Sequence, residues 1–300
     1  MHIRYGFRID MLCDAPMPLL AMMDIHPSRR SDITMADPLV ARQVSNPRES
    51  IPSVEFLDGS GNLGRWMMVP AGGIILRARG IIYHSGFAEE QGPEAEAVAP
   101  ERLTPDLLPF LRASRFCETD KLAATARQRF SAVAAGWPKV AAICDFVHHH
   151  LRYNAKLATS TRSAFEVFEE ETGASRDYAH LAITLCRCMD VPARYCSGYL
   201  PPIGVDKENR EDGFSAWFEA YLGDRWWTFN ASDALPRIGH VLIARGRDAS
   251  DVPGLTAFGP HRTVHFRVIA EEVDGARFPI SSARRREHSA RQSLFSGSGR

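Results

Sequence analysis

Residues 172–186 read TGASRDYAHLAITLC. Leu181, Ala182 and Leu185, continued by Met189, recur at helical spacing and are apolar enough for a central buried helix. Ser175 stands where that helix starts. A hydroxyl at such a position has two physical readings. It can cap the helix by accepting first-turn N–H groups, worth about 1 kcal/mol. It can also serve as a nucleophile, favoured by the helix dipole and the free N–H groups of the first turn.

The segments before this helix set its context. Ile3, Tyr5, Phe7, Ile9 and Met11 alternate with smaller or polar residues, which is the period of a half-buried strand. DGSGN at 58–62 reads as the turn of a hairpin joining Val54–Leu57 to Leu63–Val69, and GGIILRARGIIYH at 72–84 supplies another strand. Residues 1–88 therefore read as an N-terminal β-sandwich-like domain. The acidic stretch 89–113 reads as a linker, 114–272 as the core, and the Arg/Ser-rich stretch 273–300 as a disordered tail.

Within the core, helical spacing appears from Lys121 to about residue 135, with Asp120 as the cap. It appears again at Val140, Ile143, Cys144, Val147 and Leu151, and in TSTRSAFEVFEE at 159–170. After the buried helix, VPARYCSGYL at 191–200 reads as a strand. FSAWFEAYLGDRWWTFN at 214–230 reads as a hairpin, and HRTVHFRVIAEEV at 261–273 as a last strand. Strands and helices are segregated along the chain, so the fold class is α+β rather than a doubly wound sheet.

Composition bounds the partners. The 300 residues hold 36 Lys plus Arg against 36 Asp plus Glu, so net charge argues against a polyanionic partner. Neither a nucleic acid nor a membrane is expected as a partner. Its six cysteines lack C-x-x-C spacing and read as reduced thiols, and no secretory signal is read at the N-terminus. A cytoplasmic protein is expected. The run His148–His150 cannot ligate one ion, because adjacent helical side chains point about 100° apart. Neither a metal nor a cofactor is expected.

Three segments resemble the bacterial transglutaminase-like family, whose papain-like core carries a Cys–His–Asp triad. They are RDYAHLAITLCRCMDVPARYCSGYL at 176–200, the hairpin at 214–230, and PRIGHVLIARGRDASDV at 236–252. The N-terminal strands are similar to the β-rich region that precedes this core. The resemblance implies that the triad positions fall on Ser175, Ser215 and Asn230. Serine at 175 keeps a hydroxyl of high pKa, serine at 215 removes the general base, and asparagine at 230 removes the orienting charge. Loss of such a unit costs roughly four to six orders of magnitude in rate. The expected function is that of a non-catalytic relative binding a peptide or amide ligand in the residual cleft, with Trp217 and Trp227 as lining residues. One alternative is an active hydrolase or acyltransferase using Ser175 and a relocated base. The other is a structural or interaction protein working through an apolar patch of the β-region. His180 is read as a packed histidine, and Asp233 could enter the third role.

Overall fold

The computed structural model describes residues 1–155, 159, 161–204, 213–233 and 235–274. The expected tail lies, from residue 275 onward, outside the described residues.

Alternating bulk and polarity gives the long strand β1 (His2–Leu12), which is buried at every odd position from Ile3 to Met11. The chain continues through β2 (Met17–Ala21), β3 (Ile33–Gln43), β4 (Ser53–Leu57), β5 (Leu63–Val69) and β6 (Ile74–Tyr83). Last in the chain come β13 (Leu255–Ala257) and β14 (Arg262–Val273). These strands form two antiparallel four-stranded sheets, ordered β14-β1-β6-β3 and β13-β2-β5-β4.

The expected domain boundary at 272 is corrected here. β13 pairs with β2 and β14 pairs with β1 along its whole length, so the chain's end completes the N-terminal β-region. Without β14, β1 would be an uncovered edge with a row of unpaired N–H and C=O groups.

The core begins with α1 (Thr119–Phe130), which has Asp120 in its first turn rather than at its cap. It continues with α2 (Trp137–His150), the two-residue strand β7 (Arg152–Tyr153), α3 (Ala164–Glu170) and β8 (Thr172–Gly173). Next is α4 (Ser175–Cys188), whose residues from Asp177 to Arg187 are all buried. A helix buried all round must be covered on every side. α1, α2 and α3 cover it, together with β9 (Ala193–Tyr199) and β10 (Ser215–Leu222). β11 (Arg225–Phe229) and β12 (Val241–Gly246) complete an antiparallel sheet ordered β11-β10-β9-β12. Inward residues of the β-region and the helices share one apolar cluster, joined by contacts such as Tyr5 on Tyr199, with ring centroids 5.4 Å apart.

Residues 89–113 are also corrected, from spacer to docked segment. The Trp137 N–H donates to the Ala95 carbonyl at 2.9 Å and the Gly223 N–H to the Glu96 carbonyl at 2.9 Å. Gly92 lies so close to Trp227 that a Cβ would sit 2.4 Å from the indole, so only glycine fits there. Among the described residues, no helix is long and apolar enough to cross a membrane, which says nothing of strands.

Two buried histidines make the β-region acid-sensitive. The Nδ1 of His26 accepts the Ser28 N–H at 3.1 Å, and that of His84 accepts the Gly86 N–H at 3.1 Å. Burial is the largest influence lowering both to about 4. Arg245 and Arg194 add to it at His26 against Glu219, and Arg29, His240 and the N-terminus add to it at His84 against Glu89. An unfolded histidine takes up its proton near pH 6.5, well before either native ring does, so stability falls as pH drops from 6.5 toward 4. Urea denaturation should show about 2 kcal/mol lost per histidine between pH 7 and pH 5. His84→Gln should remove that histidine's share of the loss, about 2 kcal/mol, and a flat profile in the parent protein would contradict neutral burial.

Candidate active site

The first turn of α4 is anchored from below. Ala174 is its N-cap residue, and the Asp177 carboxylate reaches back to accept the Ala174 N–H at 3.0 Å. Gly173 makes room for that carboxylate, since a Cβ there would lie 2.7 Å from the Asp177 Cβ. Arg162 and Arg176 flank Asp177 at 3.4 and 3.3 Å. Burial pushes the Asp177 carboxyl up, and the Ala174 N–H and the two guanidiniums work against that rise.

Ser175 is thus the first residue of the helix and not its cap, which corrects the capping expectation. Its Oγ instead turns to the sheet and accepts the Ala216 N–H of β10 at 3.2 Å. This bond fixes the mouth of β10 against the start of α4 and brings Ser215 beside Ser175. Both serines are buried and line one cavity of about 280 Å³. His148, Tyr153, Tyr178, Asp233 and Arg237 also line it. The Tyr178 hydroxyl donates to the Leu151 carbonyl at 2.7 Å, and burial first, then Asp233, raises it to about 12. It is a neutral phenol at any working pH.

Asn230 follows the end of β11, where the register that pairs Phe218 with Phe229 puts it on the Ser215 face of the sheet. It lines an adjoining cavity of about 220 Å³, separated from the first by His148, Asp233 and Arg237, which face both. Its amide is engaged in a local turn. Oδ1 accepts from the Ser232 N–H and hydroxyl at 3.0 and 2.7 Å, and Nδ2 donates to Asp233 at 2.9 Å. Asp233 accepts from Arg237 at 3.0 Å, and Arg237 also donates to the Pro201 carbonyl at 3.1 Å.

The two tryptophans lie elsewhere. Trp217 packs with Cys196 and Leu242, its ring 4.7 Å from that of His240, and lines neither cavity. Trp227 donates from its indole N–H to the Leu222 carbonyl at 3.0 Å and stacks edge-on against Trp137. It too is a packing residue. His180 is fully buried between Phe116 and Tyr195, with Nε2 accepting the Ala249 N–H at 3.1 Å.

The three consecutive histidines diverge. His149 turns to the Asp145 carbonyl, His150 is sandwiched between Phe146 and Phe168, and His148 enters the cleft. His148 was legible as a cleft residue from its spacing, since it follows Cys144 by four and precedes Leu151 by three on the inner face of α2. Among the described residues, no group of three or more His, Cys, Asp or Glu side chains could hold a metal.

A buried helix whose first turn meets an antiparallel sheet under a polar cleft defines an α+β protein with a papain-like core. Residues 123–231, which include Ser175, Ser215 and Asn230, match the family profile of the transglutaminase-like superfamily. Residues 123–231 thus form a transglutaminase-like superfamily domain. A candidate cysteine protease from Cytophaga hutchinsonii has a similar solved structure, with 28% identity and a TM-score of 0.74 over 91% of each chain. An uncharacterized protein of Mycobacterium leprae is 32% identical over 99 residues, covering 31% of this chain and 34% of that protein. One from Mycobacterium bovis is 30% identical over 118 residues, covering 36% and 38%. The chain thus spans little more than a third of the curated relatives it matches.

Proposed function

We propose that this chain is a triad-degenerate relative that binds a peptide or amide-bearing ligand in the Ser175 cavity without turning it over. One observation carries the reading: the fold brings residues 175 and 215 together at the cleft, and both are serine. Acyl transfer at that junction needs a nucleophile and an imidazole to take its proton. A serine at 215 cannot act as that base at neutral pH. The main-chain N–H of Ala216 occupies a lone pair of the Ser175 oxygen, a contact that suits a fixed, polar floor for a ligand carbonyl or amide. We place the protein in the cytoplasm on its six free thiols, four of them buried.

Purified protein incubated with a panel of peptides and primary amides should yield no ammonia, cleavage or crosslinks. Calorimetry should still detect binding of members of the same panel, weakened by Ser215→Trp, which fills the cavity. Robust turnover lost in Ser175→Ala would overturn the proposal.

A second reading has its own support. His148 lines the Ser175 cavity and its buried Nδ1 has no hydrogen-bond partner. A relocated base would make the chain a serine hydrolase or acyltransferase, and turnover abolished equally by His148→Ala and Ser175→Ala would favour it. A role in protein interaction is supported by Val54, Trp66 and Met68, which are exposed on paired strands, with Phe258 against Trp66. Capture of a partner through this face, with the cavity still able to bind amides, would favour that role.

A further inference from the structure

The outward face of the β14-β1-β6-β3 sheet carries an arrangement that folding stability does not explain. Arg8 on β1 sits directly opposite Arg77 on β6 and directly opposite Arg267 on β14. Directly opposed residues of paired strands share a face, so three guanidiniums stand in one row across three strands. Like charges placed so are destabilising. Arg79 follows on β6, opposite Gly6, and Arg42 lies beyond it on β3. Arg8 is tied to Asp10 at 2.8 Å and Arg4 to Glu271 at 2.5 Å. Arg77 and Arg267 are exposed and have no acidic partner among the described residues.

The face is also hollow. One depression of about 600 Å³ is lined by Arg4, Arg8, Arg77, Arg79 and Arg267, and a second of about 560 Å³ by Arg8, Arg42, Arg48 and Arg77. The two share Arg8 and Arg77 and form one trough. The zero net charge of the chain averages over this face and hides it.

We propose that this trough docks the phosphodiester backbone of a duplex nucleic acid, without reading its sequence. Four considerations select that occupant. The row runs across the strands at their spacing of about 5 Å, so it suits a line of closely spaced charges such as a phosphate chain, at one charge per ~3.4 Å of each strand. An acidic peptide adding to the free edge at β14 would run along the strands, and there β14 offers only His265 and Arg267 before Ile269 and Glu271. A flat membrane would touch only the rims of a trough. The neighbouring aromatics Tyr5 and Phe7 turn inward and are buried, so the face has no stacking platform for single-stranded bases.

The test uses the full chain and a fluorescein-labelled 20-base-pair DNA duplex, read by anisotropy. Binding should weaken with salt, with a log–log slope of about −3 or steeper if Arg48, Arg77 and Arg267 each meet a phosphate. Arg77→Glu with Arg267→Glu should weaken binding at least about tenfold and flatten the slope by about 2. The pair should leave the melting temperature equal or higher, because it breaks up a like-charge row. The six arginines beyond residue 275 stay in place in this variant, so binding that survives charge reversal would overturn the assignment. No duplex binding at low salt would overturn it too, as would tighter binding to poly-glutamate, to phosphatidylserine vesicles or to a single strand.

Discussion

Arg187→Met should lower the unfolding free energy by about 3–5 kcal/mol, the range for removing one partner of a buried charge network. Arg187 is 3% exposed near the end of α4 and binds three separate segments. Its guanidinium donates to the Ala193 carbonyl at 3.1 and 2.8 Å, to the Arg112 carbonyl at 3.0 Å, to the Ser114 hydroxyl at 3.0 Å and to the Arg247 carbonyl at 2.5 Å. Asp248, fully buried close by, has its carboxylate held low at about 2. Burial, its largest single influence, pushes it up, and bonds from the Phe116 N–H, Ser114 and Ser250 together outweigh it. A methionine fills the volume but orphans four acceptors, each costing about 1–3 kcal/mol when buried. Lysine cannot substitute, because its single ammonium cannot reproduce the planar fork. The comparison is Arg225→Met, at an ion pair with Glu90 where both side chains are about half exposed, which should cost no more than about 1 kcal/mol. Chemical denaturation of both variants decides the matter. Equal, small losses would mean that the Arg187 network does not hold the core.

The sequence exposes those features whose cause is local. The alternation in β1, the turn between β4 and β5, and the helical spacing of apolar residues in α4 need no distant partner to be recognised. β3 escaped because Pro38 has no N–H to give and the register shifts between Asp37 and Val40, so the strand carries no clean period of two. The pairing of β14 with β1 escaped because it joins residues some 260 positions apart, and periodicity contains no information about partners. The same division holds at the cleft. The helix-start position of Ser175 and the strand-start position of Ser215 were legible, and the fold brings them together. Asn230 was assigned by family pattern alone, and periodicity could not show that its side chain builds a turn with Ser232 and Asp233. Trp217 and Trp227 read as cleft aromatics, but strand geometry turns the first onto Cys196 and Leu242, and the close approach of Gly92 fixes the second against the docked 89–113 segment. A charge sum of zero says nothing about a face where register stacks arginine on arginine.

Ser175→Cys combined with Ser215→His should create a thiol that iodoacetamide alkylates about tenfold faster at pH 6 than Ser175→Cys alone. The single variant places a thiol at a helix N-terminus, beside the Ala216 N–H, with no imidazole at 215. An ordinary thiol of pKa about 8.5 is then less than about 1% ionised at pH 6. An imidazolium beside it would lower that value to about 5, giving a thiolate nearly fully formed and a gain of about 2.5 log units in its population. Intrinsic nucleophilicity falls with pKa at about 0.4–0.5 log unit per unit, which removes about 1.6 and leaves roughly one. Adding Asn230→Asp should change this rate little. The side chain at 230 is engaged with Ser232 and Asp233, so orienting an imidazole at 215 would cost it that turn. Asp233, which lines the Ser175 cavity itself, is better placed for that part, and removing it as Asp233→Asn in the double variant should reverse much of the gain. Equal alkylation rates for the single and double variants across pH 5–8, with both proteins folded, would show that 175 and 215 do not meet closely enough to share a proton. The reading of this cleft as a dismantled acyl-transfer site would then fail with them.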